Sequence, residues 1–123
     1  MAASRLSDAI AAWSPQHGVA VWWLGQAGFV LRGAAATVVI DPFVTDFGSF
    51  GRLYEPPLEP EDLDKVDLLL GTHDHADHID PLGFPRILAA SPGAAAVVLR
   101  PSVNASSNSS GAPSACSARR SAP

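Results

Sequence analysis

The sequence predicts an α/β fold, and three patterns carry that expectation. An N-terminal helical stripe precedes three closely spaced β-rich runs between residues 19 and 40. Two later apolar runs, Leu68–Leu70 and Ala95–Leu99, bracket a segment opened by the helix-starting pair Asp80-Pro81. The resulting order is helix, meander, helix, strand, loop, helix, strand, which is an α/β layout.

Leu6, Ala9, Ile10 and Trp13 fall at i, i+3, i+4 and i+7, the spacing of one helix face. Ser4 is placed to cap that helix, and Ser14-Pro15 ends it, because the residue before proline avoids helical geometry. Gln16-His17-Gly18 reads as a turn. Val19–Leu24 is rich in β-branched and aromatic residues and reads as a strand. Gly25 to Gly28 break it, Phe29–Arg32 resume, and Gly33-Ala34 leads into Ala36–Ile40. Three short strands joined so tightly predict an antiparallel meander. Trp22 and Trp23 are expected to pack in the core and on the sheet surface.

Pro42 stops the third strand directly after Asp41. The stretch 43–60 exceeds a routine connection, and loops of that length are uncommon unless functional. It is expected to form a rim over a site, with Arg52 and Tyr54 as candidates to hold an anionic or polar substrate; a loop pinned by its own aromatics is an equal expectation. Pro60-Glu61-Asp62-Leu63 has the proline and acids of a helix's first turn. Asp80-Pro81 predicts a helix through about Leu88, capped by Asp80, with Leu82, Ile87 and Leu88 toward the sheet. Ser91-Pro92-Gly93 then turns into a strand from Ala95.

The chemistry concentrates in Thr72-His73-Asp74-His75-Ala76-Asp77-His78, which holds three of the four histidines. Imidazoles and a carboxylate spaced so closely suit divalent cations. If the chain stays extended past Gly71, side chains 73, 75 and 77 share one side. A turn at Ala76-Asp77 would then bring His78 inward beside Asp77. The expected division is His73 with His75 on one cation and Asp77 with His78 on a second. Asp74 is a candidate to orient an imidazole from behind. Such cations acidify water and polarise a carbonyl or phosphoryl oxygen, which points to hydrolysis of an ester, lactone, amide or phosphoester.

The His-x-His-x-Asp-His segment resembles the signature of the metallo-β-lactamase superfamily. The likeness extends upstream through Val21-Trp22-Trp23-Leu24-Gly25-Gln26-Ala27-Gly28-Phe29 and Val38-Val39-Ile40-Asp41-Pro42-Phe43. It looks most like the branch containing ascorbate-6-phosphate lactonase. The resemblance implies a four-layer αββα sandwich, of which residues 1–100 would form the N-terminal half. It implies His73 and His75 as ligands of one cation, and Asp77 and His78 as ligands of another. Asp77 would take part in catalysis, with Asp41 supporting it from beneath. The expected cation is Zn2+, with Mn2+ or Fe2+ as alternatives, and one or two ions in a full-length parent. Superfamily members add two histidines and a bridging aspartate further on, and nothing after residue 78 in this sequence supplies them. The expectation is a lactonase-like or phosphoester hydrolase using metal-activated hydroxide and represented by one half. Its alternatives are an inactive metal-binding fragment, a nucleic-acid-processing nuclease of the same superfamily, and a di-iron redox enzyme.

Composition narrows the choice. The 123 residues carry a net charge of −4 and a single cysteine, Cys116. That charge gives no basic footprint for nucleic acid, and one cysteine allows no internal disulfide. There is no membrane-length apolar run and no secretory leader, so the expectation is a cytoplasmic chain. It would act on a small molecule, away from nucleic acid and membrane, with homo-oligomers allowed. From Pro101 to Pro123 there are eight serines, five alanines and three prolines with no helix or strand period. Residues 101–123 are therefore expected to be a disordered tail, reflecting truncation or an out-of-frame reading of a GC-rich gene. Loss of the second half would leave apolar sheet surface uncovered.

Overall fold

The computed structural model of the chain describes residues 5–46, 48, 51–99 and 117–120. Helix α1 (Leu6–Ala12) leads into strands β1 (Ala20–Gly25), β2 (Gly28–Arg32) and β3 (Thr37–Ile40). Strand β4 (Leu68–Gly71), helix α2 (Gly83–Ala90), β5 (Ala95–Val98) and β6 (Ser117–Arg120) follow. The six strands form one sheet in sequence order. β1, β2 and β3 pair antiparallel, as the meander predicts, whereas β3–β4 and β4–β5 are parallel. A parallel neighbour requires a crossover, and α2 supplies it between β4 and β5.

Alternation along the strands decides which face is covered. Leu24, Val30, Val39 and Leu69 point to one side and are essentially inaccessible. There they meet Ile10, Val44, Leu58, Leu63, Phe84 and Ile87 from the helices and connections. The opposite side carries Val21 and Trp23 on β1, which are 59% and 64% exposed. Their partners across the ladder are Leu31 and Phe29, themselves opposite Val38 and Ile40. That second face is apolar across neighbouring strands and covered by no element among the described residues.

Several expectations need correction. The helix foreseen from Pro60 is a single 3-10 turn, Pro60–Asp62, because Leu63 leaves helical geometry at φ −93°, ψ 63° and is buried. α2 begins at Gly83, two residues later than expected, while Asp80 still accepts from the backbone N–H groups of Leu82 and Gly83. Pro85 fits there because the first helical turn does not need its missing N–H. Ser4 lies outside the described residues; Arg5 starts α1, its N–H donating to Asp8 at 3.2 Å. The disorder expected of residues 101–123 falls largely outside the described residues. Within it, however, Ser117–Arg120 pairs antiparallel with β5. An open strand edge presents backbone donors and acceptors to any segment that can lie beside it, whatever its hydrophobic period.

Asp80 ties the long connection after β3 to α2. It is fully buried. Oδ2 accepts the Val44 and Thr45 N–H groups at 3.1 and 2.9 Å. Oδ1 accepts the Thr45 hydroxyl at 2.6 Å and the Leu82 and Gly83 N–H groups at 3.0 and 2.8 Å. A Cβ at Gly83 would sit 2.7 Å from Oδ2, so glycine is required for this approach. Asp80→Ala should destabilise the fold by about 3 kcal/mol or more, since it strands several buried donors. Asp80→Asn should cost less. Chemical denaturation with unchanged slope checks both.

Candidate metal centre

The parallel strands β3 and β4 end side by side, and the site grows from those two ends. Ligand sites in open α/β sheets lie beyond the carboxyl ends of parallel strands. Gly71 closes β4 where a Cβ would meet Ile79 Cγ1 at 2.5 Å, so only glycine lets Ile79 fold back over the strand end. The chain does not stay extended beyond it. His75 N–H donates to the His73 carbonyl, and the His75 carbonyl accepts from His78 and Ile79 N–H at 3.0 and 2.7 Å. This turn, rather than a two-residue period, brings the imidazoles together. The ring centroids of His73 and His78 lie 3.8 Å apart, and those of His73 and His75 lie 4.5 Å apart.

Asp41 organises this turn. Its backbone sits at φ +45°, a left-handed conformation that aspartate tolerates better than most residues. The Asp41 N–H donates to the Leu70 carbonyl at 2.9 Å, extending the β3–β4 ladder by one step. Its carboxylate then substitutes for the next ladder acceptor: Oδ1 takes the Thr72 N–H at 2.7 Å. Oδ2 accepts the Thr72 hydroxyl at 2.6 Å and faces His78 Nδ1 at 2.8 Å.

These contacts fix where the imidazole protons reside. A carboxylate only accepts, so His78 Nδ1 carries a hydrogen, and in the neutral ring Nε2 presents a lone pair. Thr72 has one hydroxyl hydrogen, which it gives to Asp41. Its oxygen can therefore only accept from His73 Nδ1, 3.1 Å away. His73 Nε2 is then also left with a lone pair and accepts from His75 Nδ1, 2.9 Å away, which therefore carries the hydrogen. Burial acts on Asp41 to raise its pKa, but the hydrogen bonds from His78 and Thr72 outweigh it and hold the carboxyl below its ordinary value.

The expected ligands therefore converge as two pairs. His73 Nε2 and His75 Nδ1 form one, the latter able to face a cation once its hydrogen moves to the other ring nitrogen, and His78 Nε2 with Asp77 Oδ2, 3.8 Å apart, forms the other. Nitrogens bound to one tetrahedral zinc lie about 3.3 Å apart, so both spacings are within about half an ångström of a shared cation. Among the described residues no three His, Cys, Asp or Glu side chains converge on a single ion position. The donors thus come together only two at a time among the described residues, fewer than the three protein ligands of a catalytic zinc. Asp74 is exposed and hydrogen-bonds no imidazole among the described residues, and His17 lies in an exposed bend after α1.

Beside the metal loop lies a cleft of about 500 Å³ whose walls include Trp23, Gln26, Phe43, Leu53 and Tyr54. Arg52 lines it too, but its guanidinium lies 4.3 Å above the Phe43 ring and donates to the Phe43 and Tyr54 carbonyls at 2.9 and 3.2 Å. It holds the loop together from there. Tyr54 is 82% exposed. No sequence motif marks Gln26 for its contact with Asp77, and the signal for Thr72 is only a hydroxyl residue directly before the first histidine.

The site is therefore a strand-end carboxylate, Asp41, that aligns a histidine-rich turn. The Beta-lactamase superfamily domain matches residues 36–119, and the chain belongs to that family. Among curated relatives, a UPF0173 metal-dependent hydrolase of Aeropyrum pernix is 35% identical over 72 residues, 58% of this chain and 26% of that protein. One from Hyperthermus butylicus is 45% identical over 60 residues, 48% of this chain and 23% of that protein. N-acyl-phosphatidylethanolamine-hydrolyzing phospholipase D 1 of Caenorhabditis elegans is 32% identical over 83 residues, 63% of this chain and 23% of that protein. The chain spans about a quarter of the length of these relatives. No helix among the described residues is long and apolar enough to cross a membrane.

The lowered Asp41 pKa has a defined consequence for acid stability. A carboxyl depressed by folding stabilises the native state fully above its unfolded pKa, and that contribution fades as pH falls through the folded value. The stability difference between wild type and Asp41→Asn should be level above about pH 4 and shrink below it. Denaturant titrations of both proteins between pH 2 and 7 check this.

Proposed function

We propose that this chain carries one half of the active centre of a metal-dependent hydrolase. In this reading His73 and His75 hold one divalent cation, Asp77 and His78 hold a second, and Asp41 supports both. The observation that carries it is the Asp41 network, which leaves lone pairs on His73 Nε2 and His78 Nε2, with His75 and Asp77 beside them. A bound divalent cation, with Zn2+ the expected ion, supplies Lewis acidity and brings the pKa of water into the neutral range. Asp41 contributes by locking ring orientation and tautomer, as outer carboxylates do for metal-binding histidines. Asp77 contributes an acceptor oxygen that can take a proton from an attacking water or orient it. The neighbouring cleft suits a small ester, lactone, amide or phosphoester, with Arg52 and Tyr54 on its wall.

The uncovered sheet face supports the finer architectural proposal of a sandwich. Val21, Trp23 and Phe29 offer the kind of surface on which a second sheet packs about 10 Å away. In isolation the same face favours self-association.

A second reading, a chain that binds cations without turnover, is favoured by the pairing of donors where catalytic zinc sites usually have three protein ligands. Protein purified without added metal and submitted to elemental analysis tests the site. Wild type should retain metal, and a His73→Ala/His75→Ala double variant should lose most of it; equal content in both would remove the assignment. Turnover of lactone and phosphodiester panels then separates the two readings.

A further inference from the structure

The β1–β2 turn contributes a side chain to this site that neither the motif nor the family match assigns. Gln26 occupies it at φ +51°, directly after Gly25 at φ +88°. A left-handed backbone disfavours a residue with a Cβ and is the natural place for glycine. The turn is nevertheless held in that shape. Trp23 Nε1 donates to the Gln26 carbonyl at 2.8 Å. Gly28 passes so close beneath that a Cβ there would lie 3.1 Å from the Asp41 carbonyl oxygen. The turn is therefore seated against the residue that organises the metal loop. From this position Gln26 Nε2 donates to Asp77 Oδ2 at 3.4 Å, across 51 positions of sequence. The recipient is the same oxygen that faces His78 Nε2 at 3.8 Å.

We propose that Gln26 is a positioning residue, kept in a left-handed backbone because its side-chain amide holds the Asp77 carboxylate toward His78. The inference rests on the reading of Asp77 and His78 as a cation-binding pair. A free carboxylate on this half-buried turn samples several rotamers, and only some direct an oxygen at the His78 lone pair. An N–H donor removes part of that freedom before the cation arrives. The amide suits the task because it carries no charge: it steers the carboxylate without competing with the cation as a lysine or arginine would. Gln26 also lines the adjoining cleft, so the same side chain marks the boundary between cleft and metal loop.

Strain and positioning predict opposite effects for one substitution. Gln26→Gly relieves the left-handed backbone and should raise the melting temperature by about 4 °C. It should at the same time weaken Zn2+ binding about tenfold, the lower end of losses for outer positioning groups. Isothermal titration with Zn2+ on wild type, Gln26→Gly, Asp77→Asn and the double variant reads whether Gln26 acts through Asp77. Gln26→Gly should change affinity little in the Asp77→Asn background. In the cation-free protein, the Gln26 side-chain amide resonances should also shift on Asp77→Asn. The proposal is overturned if Gln26→Gly binds Zn2+ as wild type does, if it lowers affinity equally with and without Asp77, or if the amide resonances ignore Asp77→Asn. A fall in melting temperature would mark a structural residue instead. Wild-type protein that takes up no Zn2+ would remove both this proposal and the hydrolase reading; the other contrary outcomes remove this one alone.

Discussion

The buried carboxylate of Asp41 is the constraint on which the site depends. One side chain terminates the β3–β4 ladder, accepts the Thr72 backbone and hydroxyl hydrogens, and takes the His78 Nδ1 hydrogen. Each contact is an ordinary hydrogen bond, yet together they orient the imidazoles of the His-rich turn and favour the Nδ1–H tautomer at His73 and His78. The left-handed backbone at Asp41 is the local cost of aiming that carboxylate, and such outliers recur where function over-determines geometry. Removing Asp41 would leave the strands paired and the core filled, but the turn would lose its alignment.

Asp80 plays the complementary part on the other flank. It anchors the chain leaving β3 to the start of α2, so the segment carrying Phe43, Val44 and Thr45 is fixed beside the metal loop. Arg52 then folds the rim onto that fixed segment through backbone carbonyls and the Phe43 ring. Two carboxylates thus hold the two ends of the metal loop, one at its entry through Thr72 and one directly after Ile79. Sheet, loop and helix are coupled through them rather than through apolar contact alone.

Much of this was legible from residue patterns. β-branched runs and glycine breaks gave the meander, because local propensity and the two-residue period agree there. The pair Asp80-Pro81 announced a helix whose first N–H groups need an acceptor, and the metal motif stood out by composition. What escaped depended on distant partners. Nothing near Leu63 in sequence says that its burial ends the turn after Pro60. The period-less Ser117–Arg120 joins the sheet because β5 leaves an edge open. Thr72 and Gln26 owe their roles to Asp41 and Asp77, which lie 31 and 51 positions away. The extended geometry expected after Gly71 failed for a similar reason: Ile79 packs back over the strand end and forces a turn.

The most direct test of the Asp41 account is the protonation pattern of the histidine rings, read by long-range 1H–15N correlation spectra of cation-free protein near neutral pH. The account requires His73 and His78 to carry their hydrogen on Nδ1, with Nε2 resonating as an unprotonated nitrogen. Rings that instead carry it on Nε2, as free histidine prefers, would show that Asp41 does not set them, and the preorganised centre would not exist.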